Sequence, residues 1–248
     1  MRSQITTPAI SLVIPAYNEA ALLPRLLTSV RIARDRFRHG PDRIELIVAD
    51  NCSTDDTAAI AMAAGCRVVR AEIRCIAAAR NAGARAAHGD ILCFVDADSQ
   101  IHPDTFNVIT ASMDRPDVIG GATGVRPERW SVGIALSYAM FVPVVAATRI
   151  DTGVVFCRRG DFETIGGYDE TMKFAEDVRF HLDMWLLGRK RGARLVRASR
   201  AKAVFSTRKF DRFGEWHYLP LMFKAPWYLL NRRAGNSLAE RYWYQPGR

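Results

Sequence analysis

AAARNAGARAAHGDILCFVDAD, residues Ala77 to Asp98, is the stretch on which the fold turns. Its alanine-rich first half continues a helix expected over Ile73 to Ala87, since it holds neither proline nor a β-branched run. Gly89 and Asp90 break that pattern, and Ile91, Leu92, Phe94 and Val95 follow as an apolar run too short for a helix. Such a run reads as a strand buried on both faces. Asp96 and Asp98 then leave it together, so a pair of carboxylates emerges at one sheet edge.

Toward the N-terminus the same alternation recurs. Ile10 to Ile14 is an apolar run closed by Pro15, and Ala20 to Phe37 sets Leu22, Leu23, Leu26, Leu27, Val30 and Phe37 at helical spacing. Ile44 to Ala49 reads as a second strand, Ser53 as the N-cap of the next helix with Asp56 as its partner, and Arg67 to Val69 as a third strand. These β-α units predict an α/β fold with a doubly wound, mostly parallel sheet. Ligands of such sheets sit beyond the carboxyl ends of the strands. Tyr17-Asn18-Glu19, Asp50-Asn51 and Asp96-Ala97-Asp98 are therefore expected to face one crevice.

Beyond Asp98 the rhythm fades. A helix is expected to start at His102-Pro103-Asp104, strands at Val118 to Thr123 and Gly153 to Cys157, and an amphipathic helix at Ala175 to Leu187 with Val178, Phe180, Leu182, Trp185 and Leu186 toward the core. No repeat and no Gly/Ser linker divides the chain. Residues 1–114 and 115–248 thus read as two halves of one continuous domain.

Composition excludes several classes. With 248 residues, 49% hydrophobic and 25% charged, the chain can build a core and is neither disordered nor collagen-like. Its five cysteines have no metal-ribbon spacing, which suggests thiols in a reducing compartment, and the N-terminus is too short and weakly basic for a signal peptide. The net charge of +9 is uneven. Up to Gly188 there are 20 basic and 23 acidic residues; from Arg189 onward there are 15 and 3. Basic segments of this kind meet nucleic acid, anionic lipid or phosphate-bearing substrates.

The chemistry-bearing residues are mostly acids. Asp96 and Asp98, held side by side, repel each other, and a hard cation such as Mg²⁺ or Mn²⁺ would relieve that and recruit phosphate oxygens. Helix capping or loop solvation would explain the same pair more plainly. Asp50 could accept from a nucleobase N–H or merely cap its own turn. Arg74 near a helix start suits an anion, whereas Arg80 serves equally as a ligand or a structural ion pair. Glu176-Asp177 opens a helix, where acids are ordinary; facing the crevice, Asp177 would be a base. Neither a Gly-x-Gly-x-x-Gly nor a Gly-x-x-x-x-Gly-Lys-Ser/Thr motif is present.

VIPAYNEA (Val13 to Ala20), ADNCSTDDT (Ala49 to Thr57), the Ala77 to Asp98 stretch, and GGYDE followed by EDVRF (Gly166 to Phe180) together resemble a non-processive, bacterial-type family 2 glycosyltransferase of the GT-A fold, over roughly residues 9 to 190. The resemblance implies an inverting, metal-dependent transfer of one sugar from a nucleoside diphosphate sugar. It implies that Tyr17 and Asp50 contact the nucleobase and that Pro15, Glu19 and Arg74 line the nucleotide site. Asp96 would meet the ribose, Asp98 the Mg²⁺ or Mn²⁺ ion, and Asp177 would be the catalytic base.

The Gln-x-x-Arg-Trp of the processive polysaccharide synthases is missing after the Glu-Asp motif, which favours a single transfer. His217, alone in an aromatic helix, reads as structural rather than as a metal ligand. Ser131 to Thr148 carries no charge but is interrupted by Pro143, and reads as a buried or acceptor-lining helix in preference to an interfacial one or a span. Trp216 to Leu230 joins Trp216, Tyr218, Met222, Phe223, Trp227 and Tyr228 to a basic flank at Arg232-Arg233, the pattern of a helix lying on anionic lipid. The expected partners are a sugar or lipid-linked acceptor and a membrane surface, without nucleic acid, at the cytoplasmic face of the membrane. Two rivals stay open: a basic nucleic-acid-binding module, which leaves the N-terminal motifs unexplained, and a sugar-nucleotide pyrophosphorylase, which would carry a Gly-rich loop where this chain has PAYNEA.

Overall fold

The computed structural model describes residues 9–148 and 151–243. In chain order it runs β1 (Ile10–Ala16), α1 (Leu23–Asp35), β2 (Ile44–Asp50), α2 (Thr57–Ala63), β3 (Arg67–Arg70), α3 (Ile76–Ala86), β4 (Ile91–Phe94) and β5 (Ser99–Gln100). It continues with α4 (Thr105–Met113), β6 (Val118–Pro127), α5 (Val132–Thr148), β7 (Val155–Arg158), α6 (Arg159–Ile165), α7 (Glu176–Arg191) and β8 (Arg194–Phe205). Three helices close it: α8 (Arg208–Phe213), α9 (Tyr218–Leu230) and α10 (Arg232–Trp243).

The strands form one eight-stranded sheet in the order β3-β2-β1-β4-β7-β6-β8-β5. The first four are parallel; β7 then runs antiparallel between β4 and β6, and β8 pairs parallel with β6. Residues of β1 alternate between two cores, which is what a sheet covered on both faces requires. Ile10, Leu12 and Ile14 point to a core with Leu23, Leu26 and Val30 of α1 and Phe106 of α4. Val13 points the other way, to Ala77, Phe94, Phe162 and Phe180. The expected doubly wound, mostly parallel α/β sheet is present, and the second half extends the same sheet.

Several local expectations are corrected. The second helix starts at Thr57, with no side-chain cap bond at its N-cap Asp56. Ser53 is not its cap, because the Ser53 hydroxyl instead accepts from the Asn18 N–H at 3.0 Å. The buried stripe of α7 is Glu176, Phe180, Met184 and Gly188, four residues apart, with His181 beside it. Val178, Leu182, Trp185 and Leu186 lie on the opposite side, exposed rather than in the core. Helix α5 is not buried either: Ile134 and Ser137 are covered, but Val132, Leu136 and Val142 are open to solvent. Among the described residues, no helix is long and apolar enough to cross a membrane.

Candidate active site

The register of the parallel strands builds the crevice. Ala16 pairs with Asp50, so Tyr17 and Asp50 leave neighbouring strands side by side, and Phe94, opposite Val13, delivers Asp96 next to them. Pro15 is buried within β1 and supplies backbone only, opposite Ala49. The loops after β1 and β2 are then joined by side chains bonding to backbone, the habit of Asn, Asp, Ser and Thr in turns. Thr57 Oγ1 accepts from the Glu19 N–H at 2.8 Å, Asp55 from Ala20 at 3.1 Å, and Asn18 Oδ1 from Thr54 at 2.8 Å. Asp50 accepts from the Ser53 N–H at 3.1 Å. Asn18, Cys52 and Ala175 are the non-glycine residues with left-handed backbone among the described ones, and all three lie in loops at this crevice. Conformations of that kind are held against their cost where a site demands them.

The acids and arginines form distinct groups. Arg74 precedes α3 instead of sitting in its first turn, and its guanidinium stacks 4.2 Å over the Tyr17 ring and donates to the Tyr17 hydroxyl. Arg80, buried in the middle of α3, donates to Asp96 at 2.9 Å and to Glu176 at 2.8 Å. This resolves its two readings in favour of an ion pair, and the ion pair fastens the turn bearing Asp177 to the donor side. Burial by itself would lower the Arg80 pKa; Asp96 and the other acids around it raise it instead. Burial pushes Glu176 up to about 7, with Asp177 adding to the rise and Arg80 opposing it.

Beneath them lies an aromatic bed. Tyr168 stacks on Phe180 at 4.2 Å, Phe94 meets Tyr168 edge-on, and the Arg80 guanidinium lies 5.0 Å over the Tyr168 ring. Asp177 itself is half-buried at the start of α7. One turn on, buried His181 donates from Nδ1 to the Asp177 carbonyl at 2.8 Å, and burial lowers its pKa, so it is the neutral ring that sits there.

Asp98 and Glu19 share a partner that the sequence did not announce. Arg208, just past β8, donates to Glu19 from both terminal nitrogens and lies 3.0 Å from Asp98 Oδ2. It arrives there because Ser99 of β5 pairs with Phe205 of β8. Strand β8 escaped the sequence reading because its alternation is broken by a bulge in its pairing with β6 and its outer face is basic, with Arg194, Arg197, Arg200 and Lys202. Leu195, Ala198, Ala201 and Ala203 are the inward residues that could have revealed it.

No three His, Cys, Asp or Glu side chains are gathered as a metal cage among the described residues. Asp98 offers one carboxylate, and Asp96 is turned to Arg80. Such a set does not hold a cation by itself. Mg²⁺ and Mn²⁺ do bind through one or two carboxylates completed by substrate phosphates, so the residues fit an ion that arrives with a diphosphate.

A groove of about 240 Å³ opens on the outer face of α7, lined by Phe174, Val178 and Leu182 with Tyr228, Arg179 and Arg232. Around it the C-terminal helices expose apolar groups, Phe223 at 77% and Trp227 at 62%.

Residues 11–162 match the family described as glycosyl transferase family 2. The chain is 29% identical over 190 residues to a PGL/p-HBAD biosynthesis glycosyltransferase of Mycobacterium bovis, covering 72% of this chain and 70% of the relative. It is 29% identical over 177 residues to an undecaprenyl-phosphate 4-deoxy-4-formamido-L-arabinose transferase of Pseudomonas savastanoi, covering 62% of this chain and 52% of that one. Against the first curated relatives it matches, the chain spans a quarter to about half of their length. Among solved structures, a Pyrobaculum calidifontis mannosyltransferase in complex with GDP-Man and Mn²⁺ superposes with a TM-score of 0.65 at 23% identity, over 80% of this chain and 56% of that one. S. aureus TarS 1–349 in complex with UDP-GlcNAc gives 0.63 at 21%, over 80% and 58%. These likenesses establish that the fold is the expected GT-A one.

Proposed function

Because the chain belongs to glycosyl transferase family 2, we propose that it moves one sugar from a nucleoside diphosphate sugar to an acceptor hydroxyl, with inversion at the anomeric carbon. The observation that carries this reading is the Arg80 bridge, which binds Asp96 of the donor crevice to the turn bearing Asp177. Tyr17 and Asp50 receive the nucleobase, Pro15, Glu19 and Arg74 line the nucleotide, and Asp96 meets the ribose. Asp98 would hold Mg²⁺ or Mn²⁺ together with the diphosphate; when bound, such an ion offsets charge on the leaving group. Asp177 takes the proton of the attacking hydroxyl. Its neighbour Glu176 does not serve, because it is buried against Arg80.

The acceptor enters from the groove on the outer face of α7, whose first turn carries Asp177. Apolar Phe174, Val178, Leu182 and Tyr228 with Arg179 and Arg232 suit a lipid-linked phosphate, and a relative named for undecaprenyl phosphate supports that class. Exposed Phe223 and Trp227 beside Lys224 and Arg233 suit attachment to an anionic membrane surface without crossing it.

Melting curves with UDP-, GDP- and dTDP-sugars, with and without Mn²⁺, test the donor. One nucleotide should stabilise the protein by about 2.7 kcal/mol at 100 times its dissociation constant. Asp98→Ala should remove the Mn²⁺ contribution to that shift. Absence of any shift with all three nucleotides would sink the reading.

A further inference from the structure

Arg208 lies outside every motif that carries the resemblance, yet it is the residue that two acids of the crevice share. Its Nη1 reaches Glu19 Oε2 at 2.7 Å, its Nη2 bonds Glu19 Oε1, and the same Nη2 is 3.0 Å from Asp98 Oδ2. The Glu19 carboxylate is almost wholly covered and the arginine about two-thirds covered, so water screens this contact poorly. A guanidinium on Asp98 Oδ2 and a divalent ion on the same carboxylate would be two positive centres within a few ångströms of each other. Repulsion opposes their joint occupancy.

The fork of a guanidinium that fits a carboxylate also fits a phosphate. Arg208 opens α8, a six-residue helix joined to the sheet at Phe205, so its side chain leaves from a fixed point beside the acids. Resting on the reading of this crevice as a diphosphate and cation site, we propose that Arg208 fills the cation's place while no donor is present and yields Asp98 when a diphosphate arrives to receive the guanidinium. The arginine then makes divalent-ion binding depend on the nucleotide. By linkage it makes nucleotide binding depend on the ion to the same degree.

Mn²⁺ titrations of the full chain, followed by electron paramagnetic resonance of the free ion, test this in wild type, Arg208→Ala and Arg208→Gln. The Gln variant keeps a polar, hydrogen-bonding side chain at this position without the charge, and the melting temperature of each variant reports that it is folded. With Mn²⁺ alone, both variants should bind about tenfold more tightly than wild type, and Asp98→Ala should abolish that gain. With saturating UDP or GDP, wild type should tighten its hold on Mn²⁺, and the tightening should be about tenfold smaller in the variants. Folded variants that bind Mn²⁺ alone no better than wild type overturn the proposal, as does a nucleotide effect of equal size in all three proteins. The Mn²⁺-alone series judges the arginine, whereas the UDP and GDP shifts of wild type judge the donor reading, so the two fail separately.

Discussion

The strands β1 to β4 and the strands β6 to β8 share one sheet but deliver their functional groups in different ways. In the first set each acid follows its own strand directly, and parallel register alone lines up Tyr17, Asp50 and Asp96. In the second set the groups arrive through contacts outside that parallel ladder. Arg208 depends on β5 meeting β8, and Asp177 on the Arg80 ion pair. The difference teaches that the donor side follows from strand order and register, whereas the base and the arginine depend on side-chain and antiparallel contacts added to that ladder.

Breaking the tether between the two sets should have the largest effect. Arg80→Met leaves buried Glu176 without its cation and frees Asp96, and uncompensated buried charge costs about 3–5 kcal/mol. A fall in melting temperature of about 10 °C or more is expected by calorimetry; a shift within a degree or two would show that the halves do not need this bridge. Asp177→Asn should lower turnover by about 10² or more while leaving donor affinity nearly unchanged, the signature of a lost proton acceptor. Parallel loss of donor affinity, measured by calorimetric titration, would instead make Asp177 part of the donor half.

A smaller effect concerns Glu176 and pH. Its folded pKa, raised to about 7, lies above the unfolded value near 4.5. The folded state therefore holds a proton that the unfolded state has lost between those values, and stability falls as pH rises through that window. Glu176→Gln removes this dependence. Its stability relative to wild type should improve by about 2.5 kcal/mol from pH 5 to pH 8, read from urea midpoints; a constant difference would mean that Arg80 keeps Glu176 ionised throughout. The smallest effect sharpens the contrast at the surface. Wild type should sediment with anionic vesicles at low salt, and Phe223→Ala with Trp227→Ala should weaken that several-fold without altering nucleotide binding. Wild type left in the supernatant would return these aromatics to an acceptor or partner role.

How much of this was legible in the sequence follows the same division. The short apolar runs at Ile10, Ile44 and Ile91 announce strands because parallel strands are buried on both faces, and the acids behind them announce the crevice. The roles of Ser53 and Arg80 could not be read, since each depends on a partner many residues away. The α7 face was misread for a different reason. The helix carries two apolar stripes, and periodicity alone does not say which one meets the sheet. Strand β8 hid behind its arginines and its bulge.

The pairing of Ser99 with Phe205 also fixes when, during synthesis, the crevice is finished. Asp98 leaves the ribosome 110 residues ahead of Arg208 in the chain, an interval of roughly 6–20 s at ordinary elongation rates. At its start β1, β2, β3 and β4 have been made, but β7, the other neighbour of β4, and Arg208 have not. A chain that has reached Asp98 but not Arg208 therefore carries these two acids before the guanidinium they share exists.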